Sequence, residues 1–126
     1  MHPIRIKRAY EPPHESDGIR VLVDRLWPRG LARASARLDH WMKDVAPSPS
    51  LRVWFGHDPS RFADFAERYR DELRHRPEDL APLLALANAG PVTLVYAARD
   101  EQHNHAFVLR GFLEDQRRRS GNSGSK

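Results

Sequence analysis

The chain has 126 residues and is 40% hydrophobic, enough for one domain with a real core, and it contains no cysteine. Disulfides, a thiolate nucleophile and cysteine-ligated zinc are therefore excluded. The formal net charge is +4, but residues 117–126 hold four basic groups and no acid; without them 17 basic residues balance 17 acidic ones, so the folded part is not basic overall.

Residues 4–7, I-R-I-K, alternate apolar and basic and read as a short strand with one buried face. Residues 11–18, E-P-P-H-E-S-D-G, carry two turn signals and read as loop. Residues 19–24, I-R-V-L-V-D, form a second strand. Ile19, Val21 and Val23 mark one face, and Leu22 adds apolar surface on the other. That strand runs into R-L-W-P-R-G, in which Trp27 precedes a proline and is held extended.

In residues 31–45, Leu38, Trp41, Met42 and Val45 fit helical spacing, and the segment is read as helix, although residues 41–44 fit a strand equally well. Ser48 with Pro49, and Asp58 with Pro59, are successive helix starts, each a capping side chain before a proline. The first helix stops at Gly56. In the second, Phe62, Phe65, Ala66, Tyr69 and Leu73 make one apolar stripe. A further helix starts near Pro77, with Glu78 and Asp79 in its first turn and Leu80, Leu83, Leu84 and Ala87 inside.

Residues 92–98 are continuously apolar apart from Thr93, as in a strand covered on both faces and central in its sheet. A polar turn follows, and then Val108, Leu109, Phe112 and Leu113 recur at helical spacing. The fold class expected is α/β: one domain over residues 1–116, a small and at least partly parallel sheet flanked by helices. Residues 117–126 read as a disordered basic Gly/Ser tail. No run approaches the roughly 20 apolar residues of a membrane span. No signal-peptide core stands at the N-terminus, so no membrane association and a cytoplasmic location are expected.

Several stretches resemble the YeaO-like branch of the domain-of-unknown-function 488 family. They are G-I-R-V-L-V-D-R-L-W-P-R-G at 18–30, W-M-K-D-V-A-P-S at 41–48 and L-R-V-W-F-G-H-D at 51–58, with F-A-E-R-Y-R-D-E-L at 65–73 and T-L-V-Y-A-A-R-D-E-Q-H-N-H-A at 93–106. The resemblance spans nearly everything before the tail. It implies a compact α/β domain and no particular reaction. Other branches place cysteines, with a Cys-His-Arg triplet, around the loop after this strand. Tyr96 and Asn104-His105-Ala106 stand there in this chain, so thiol chemistry does not carry over.

Open α/β folds bind ligands at the carboxyl ends of their strands. If the strands ending at Asp24 and Ala98 run parallel, Arg25, Arg29 and Arg99 converge there with Asp100, Asn104 and His105, and arginine forks suit phosphate or carboxylate. The expected partner is a small anionic ligand. Arg25, Arg29, Arg99 and Asn104 bind it, Trp27 and Tyr96 form walls, and Asp100 and His105 are candidates for proton transfer. The plainer alternative is that the arginines are solvated or paired with Asp24.

His103-x-His105, with Asp100 or His57, has the residue types of a metal site. Two imidazoles on a turn fall short of three or four supported ligands, and no metal is expected. No serine elbow, P-loop or dinucleotide glycine pattern occurs, so no cofactor is expected. Trp27, Trp41 and Trp54 among many arginines raise nucleic-acid or protein binding as the alternative function. It is not favoured, because tryptophans more often wall a core and the folded part is neutral.

Overall fold

The computed structural model describes residues 2–124, with side chains through Arg119. Four strands, β1 (Ile4–Arg8), β2 (Ile19–Leu22), β3 (His40–Trp41) and β4 (Val92–Tyr96), form one sheet in the order β1-β4-β2-β3. All its pairings are parallel. β4 is central, bonded to β1 on one side and β2 on the other, and all five of its residues are buried. Its one polar residue, Thr93, is 0% exposed, and its hydroxyl donates to the Asp17 carbonyl at 2.8 Å. The pairing starts level: Ile4 and Ile19 both stand opposite Val92.

One face of the sheet carries Ile4, Val21, Val23, Leu94 and Tyr96, packed under helices α2 (Pro49–Phe55), α3 (Phe62–Arg74), α4 (Pro77–Ala89) and α5 (His105–Gly124). The stripe read from sequence is the buried face of α3: Phe65, Ala66, Tyr69 and Leu73. The caps also form as read. The Ser48 hydroxyl accepts from Leu51 N–H at 3.2 Å, and the Asp58 carboxylate accepts from Ser60 N–H at 2.9 Å.

The opposite face is covered by irregular chain. Leu22 and Val95 pack against Trp27, Leu31, Leu38 and Trp41. Here the single helix expected over residues 31–45 is corrected. The segment holds a one-turn helix α1 (Arg33–Ala36), then β3, then a 3-10 turn at Lys43–Val45. Trp41 is apolar at that spacing because it lies on the sheet: Leu22 is its register partner, and its indole N–H donates to the Asp24 carbonyl at 2.8 Å. A short edge strand wins over helix propensity because β2 offers its free edge.

A buried charge cluster fixes this second face. Asp17 and Arg20 are 5% and 4% exposed. Arg20 Nη1 meets the Asp17 carboxylate at 2.6 Å and Lys7 Nζ meets it at 3.2 Å, while Arg20 Nη2 donates to the Ala36 carbonyl at 3.0 Å. Burial alone would raise the Asp17 pKa, but the hydrogen bonds from His14 N–H, Lys7 and Arg20 outweigh it and hold it below 3.8.

α5 continues past residue 116. Arg117 donates to the His2 carbonyl at 2.8 Å, and Arg118 and Arg119 reach Asp115. Residues 125–126, assigned to the tail from sequence, lie outside the described residues. Among the described residues, no helix is long and apolar enough to cross a membrane.

Candidate functional site

A cleft of about 710 Å³ opens at the carboxyl ends of β2 and β4. Three segments wall it: the chain leaving β2, the end of α2, and the turn between β4 and α5. Parallel pairing brings the first and third together, since Val23 N–H donates to the Val95 carbonyl at 3.0 Å, extending the β2–β4 ladder to the rim. Arg25, Trp27, Arg29, Arg99, Asp100, Asn104 and His105 all line this one cleft, so the convergence expected from sequence is present. Tyr96 does not line it. It is 2% exposed and packs into the helix-side core, because its place in β4 points it under α5; the wall role is corrected.

Asp24 fastens the cleft's walls to one another. Its Oδ2 accepts from Ala97 N–H at 3.0 Å, tying β2's end to β4's. Its Oδ1 lies 3.0 Å from His105 Nε2 at the first turn of α5. The same Nε2 lies 3.1 Å from the Val23 carbonyl. A carbonyl only accepts, so the proton is on Nε2 and points to Val23. Oδ1 is left in electrostatic contact, buried, without an aligned hydrogen bond. Two segments are thus locked by one carboxylate that is 16% exposed and one imidazole that is 15% exposed. Asp24 was considered from sequence only as a partner for the arginines, and it pairs with neither.

The arginines are the unspent charges. Arg25, Arg29, Arg52 and Arg99 line the cleft, and among the described residues none lies within ion-pair distance of a carboxylate. Arg25 donates from Nη2 to the Ala46 and Pro47 carbonyls at 3.4 Å each, long contacts that hold it against the wall. Its Nε is buried with no hydrogen-bond partner. Arg52 and His57 come from the end of α2, where Gly56 and His57 adopt left-handed φ values of 55° and 57°. Sequence reasoning gave Arg52 no role, because nothing in a helix stripe shows which sheet edge its end will face.

Two further candidates also have structural roles. Asp100 is a loop-bracing residue. Its carboxylate accepts from Gln102 N–H and His103 N–H at 2.9 Å each and contacts His103 Nδ1 at 2.9 Å. The Gln102 bond foremost, then those from His103, holds it below the usual carboxylate range. Asn104 caps α5: its Oδ1 accepts from Phe107 N–H at 2.8 Å, and its Nδ2 donates to the Asp100 carbonyl at 2.9 Å. It is 1% exposed, so its amide serves first to brace the turn and cap the helix.

Each histidine of His103-x-His105 is engaged with a different carboxylate, Asp100 and Asp24. Among the described residues no three His, Asp or Glu gather as a metal site. The tryptophans do not form one stacking platform. Trp27 meets Trp41 edge-on at 5.5 Å under the Arg33 guanidinium, while Trp54 lies between Arg61 and Arg68.

A family model described as "Inactive DUF488-N3 subclade" matches residues 3–126. The uncharacterized protein Rv3073c of Mycobacterium tuberculosis (strain ATCC 25618 / H37Rv) is 46% identical over 110 residues, covering 87% of this chain and 92% of its own length. The uncharacterized protein YeaO of Escherichia coli (strain K12) is 42% identical over 110 residues, covering 87% of this chain and 96% of its own. No solved structure matches.

Proposed function

Since the chain belongs to the domain-of-unknown-function 488 family, in the subclade described as inactive, we propose that it works by binding a small anion, phosphate- or carboxylate-bearing, in the cleft at the carboxyl edge of the sheet. The observation that carries the reading is the set of cleft arginines without a carboxylate partner, among which Arg25 is held against the wall by the Ala46 and Pro47 carbonyls. Arg29, Arg52 and Arg99 add positive charge with no carboxylate partner, and a charged fork in a partly enclosed cleft binds an oxyanion more strongly than one in open water.

Binding without chemistry fits the inventory. No Ser, Thr, Cys or Lys lines the cleft, so a hydroxymethyl, thiol or amine nucleophile is not offered there. Ser48, the best-placed serine, is taken up by its cap and by Glu72, which its hydroxyl meets at 2.5 Å. His105 serves as the inner half of the Asp24 clamp.

Isothermal titration of phosphate into the wild type and Arg25→Ala tests the reading. One charge-assisted hydrogen bond is worth about 1.5–3 kcal/mol, so the variant should bind roughly tenfold to a hundredfold more weakly. Arg74→Ala, on the exposed face of α3, is the control and should leave affinity unchanged. Equal affinities in wild type and Arg25→Ala would end the proposal.

A further inference from the structure

We infer that the ligand is an organic phosphate with a flat, apolar body, of the aryl phosphate kind, rather than an inorganic anion or a sugar phosphate. The inference rests on the anion reading and adds what the rest of the cleft contributes. A volume of about 710 Å³ is the space of roughly two dozen waters, far more than one phosphate occupies. It falls within the range of about 300–1,000 Å³ found for pockets that enclose larger organic ligands.

The walls between the arginines are apolar. Phe55 and Phe65 stack with ring centroids 4.3 Å apart, 5% and 1% exposed, as a closed aromatic floor. Leu26 and Tyr10 stand at the rim, 63% and 45% exposed. Trp27 and Pro28 continue the same wall. One exposed leucine is ordinary on a protein surface; a leucine and a tyrosine beside an aromatic-floored cleft offer a body something to lie against.

Selectivity against a polyhydroxyl body comes from what is already used. The Asn104 amide is spent on Phe107 and Asp100, and the Trp27 N–H donates to the Leu31 carbonyl at 2.8 Å. The Tyr10 hydroxyl donates to the Arg29 carbonyl at 2.9 Å. Trp27, Tyr10 and Asn104 thus each spend hydrogen bonds within the protein. Sugar hydroxyls entering the cleft would compete with the phosphate for the arginine donors, whereas an aryl face asks nothing of them and lies against the apolar wall.

The test is calorimetric titration, at one ionic strength, of inorganic phosphate, ribose 5-phosphate, 1-naphthyl phosphate and the uncharged 1-naphthol. The account expects 1-naphthyl phosphate to bind at least about tenfold more tightly than either of the first two. Leu26→Ala, exposed enough to leave the fold intact, should reduce that advantage by about threefold. Equal affinities for the three phosphates would overturn the aromatic-body inference and leave the anion reading standing. Binding of 1-naphthol as tight as 1-naphthyl phosphate would overturn the anion reading instead, and no binding of any probe would overturn both.

Discussion

Asp24→Asn is the sharpest test of how the cleft is held together. The change keeps size and shape and replaces one acceptor oxygen by a donor NH₂. In the wild type, one oxygen receives the Ala97 N–H at 3.0 Å and the other faces His105 Nε2 at 3.0 Å. Both neighbours are donors, because Nε2 must keep its proton for the Val23 carbonyl. An asparagine amide therefore fails in either orientation: one puts NH₂ against the Ala97 N–H, the other leaves NH₂ without an acceptor beside an Nε2–H already given to Val23. Each leaves a partly buried donor unpaired, at about 1–3 kcal/mol. At roughly 4 °C per kcal/mol for a domain of this size, the melting temperature should fall by about 4–12 °C. Thermal denaturation followed by circular dichroism measures it. A two-dimensional NMR spectrum should show changes concentrated at residues 97–98 and at the start of α5. A melting temperature within about 2 °C of wild type would show that the oxygens of Asp24 do not require donors, and the clamp would be wrong.

Gly18→Ala should be among the most damaging single substitutions: φ is 65°, and an added Cβ would lie 2.2 Å from the Pro91 carbonyl oxygen, so the starts of β2 and β4 would have to separate. A loss of about 3 kcal/mol or more in urea denaturation is expected, and a near-wild-type midpoint would refute the close approach. Phe65→Ala, removing a ring 1% exposed and stacked on Phe55, should cost about 3–5 kcal/mol by the same assay; a cost below about 1 kcal/mol would mean that the α3 stripe is not core. For Asp17 the folded pKa lies below 3.8, so its ionised form stabilises the fold above the unfolded value of about 3.9, and that contribution is lost as pH falls through the folded pKa. Thermal melts of wild type and Asp17→Asn should therefore differ most at neutral pH and converge at acid pH; a constant gap would show that the ion cluster does not contribute through Asp17's charge.

The central strand and its following loop were legible because an apolar run buried on both faces has few alternatives. The strand ends at Asp24 and Ala98 then put Arg25, Arg29, Arg99 and His105 on one edge. Asp24 and Tyr96 were assigned badly for one shared reason: which way a side chain turns at a strand's end depends on register against neighbours. Tyr96 turns under α5, and Asp24 reaches across to Ala97 N–H. β3 escaped notice because two residues show no alternation, and Trp41 coincides with helical spacing while it docks on Leu22. Arg20 in mid-strand carries no signal of burial; Asp17 and the Ala36 carbonyl satisfy it only once the loop folds over the sheet. Asn104 and Asp100 were chosen as polar groups at a promising edge, where building the turn and capping α5 consume them first.

Central to the account is that the unpaired arginines of the cleft form an anion site. Amide chemical-shift perturbation on adding phosphate tests that most directly. The account predicts shifts confined to residues 24–29 and 97–106, abolished in Arg25→Ala and retained in Arg74→Ala. Shifts centred instead on the arginines of α5, or the same pattern surviving in Arg25→Ala, would contradict it.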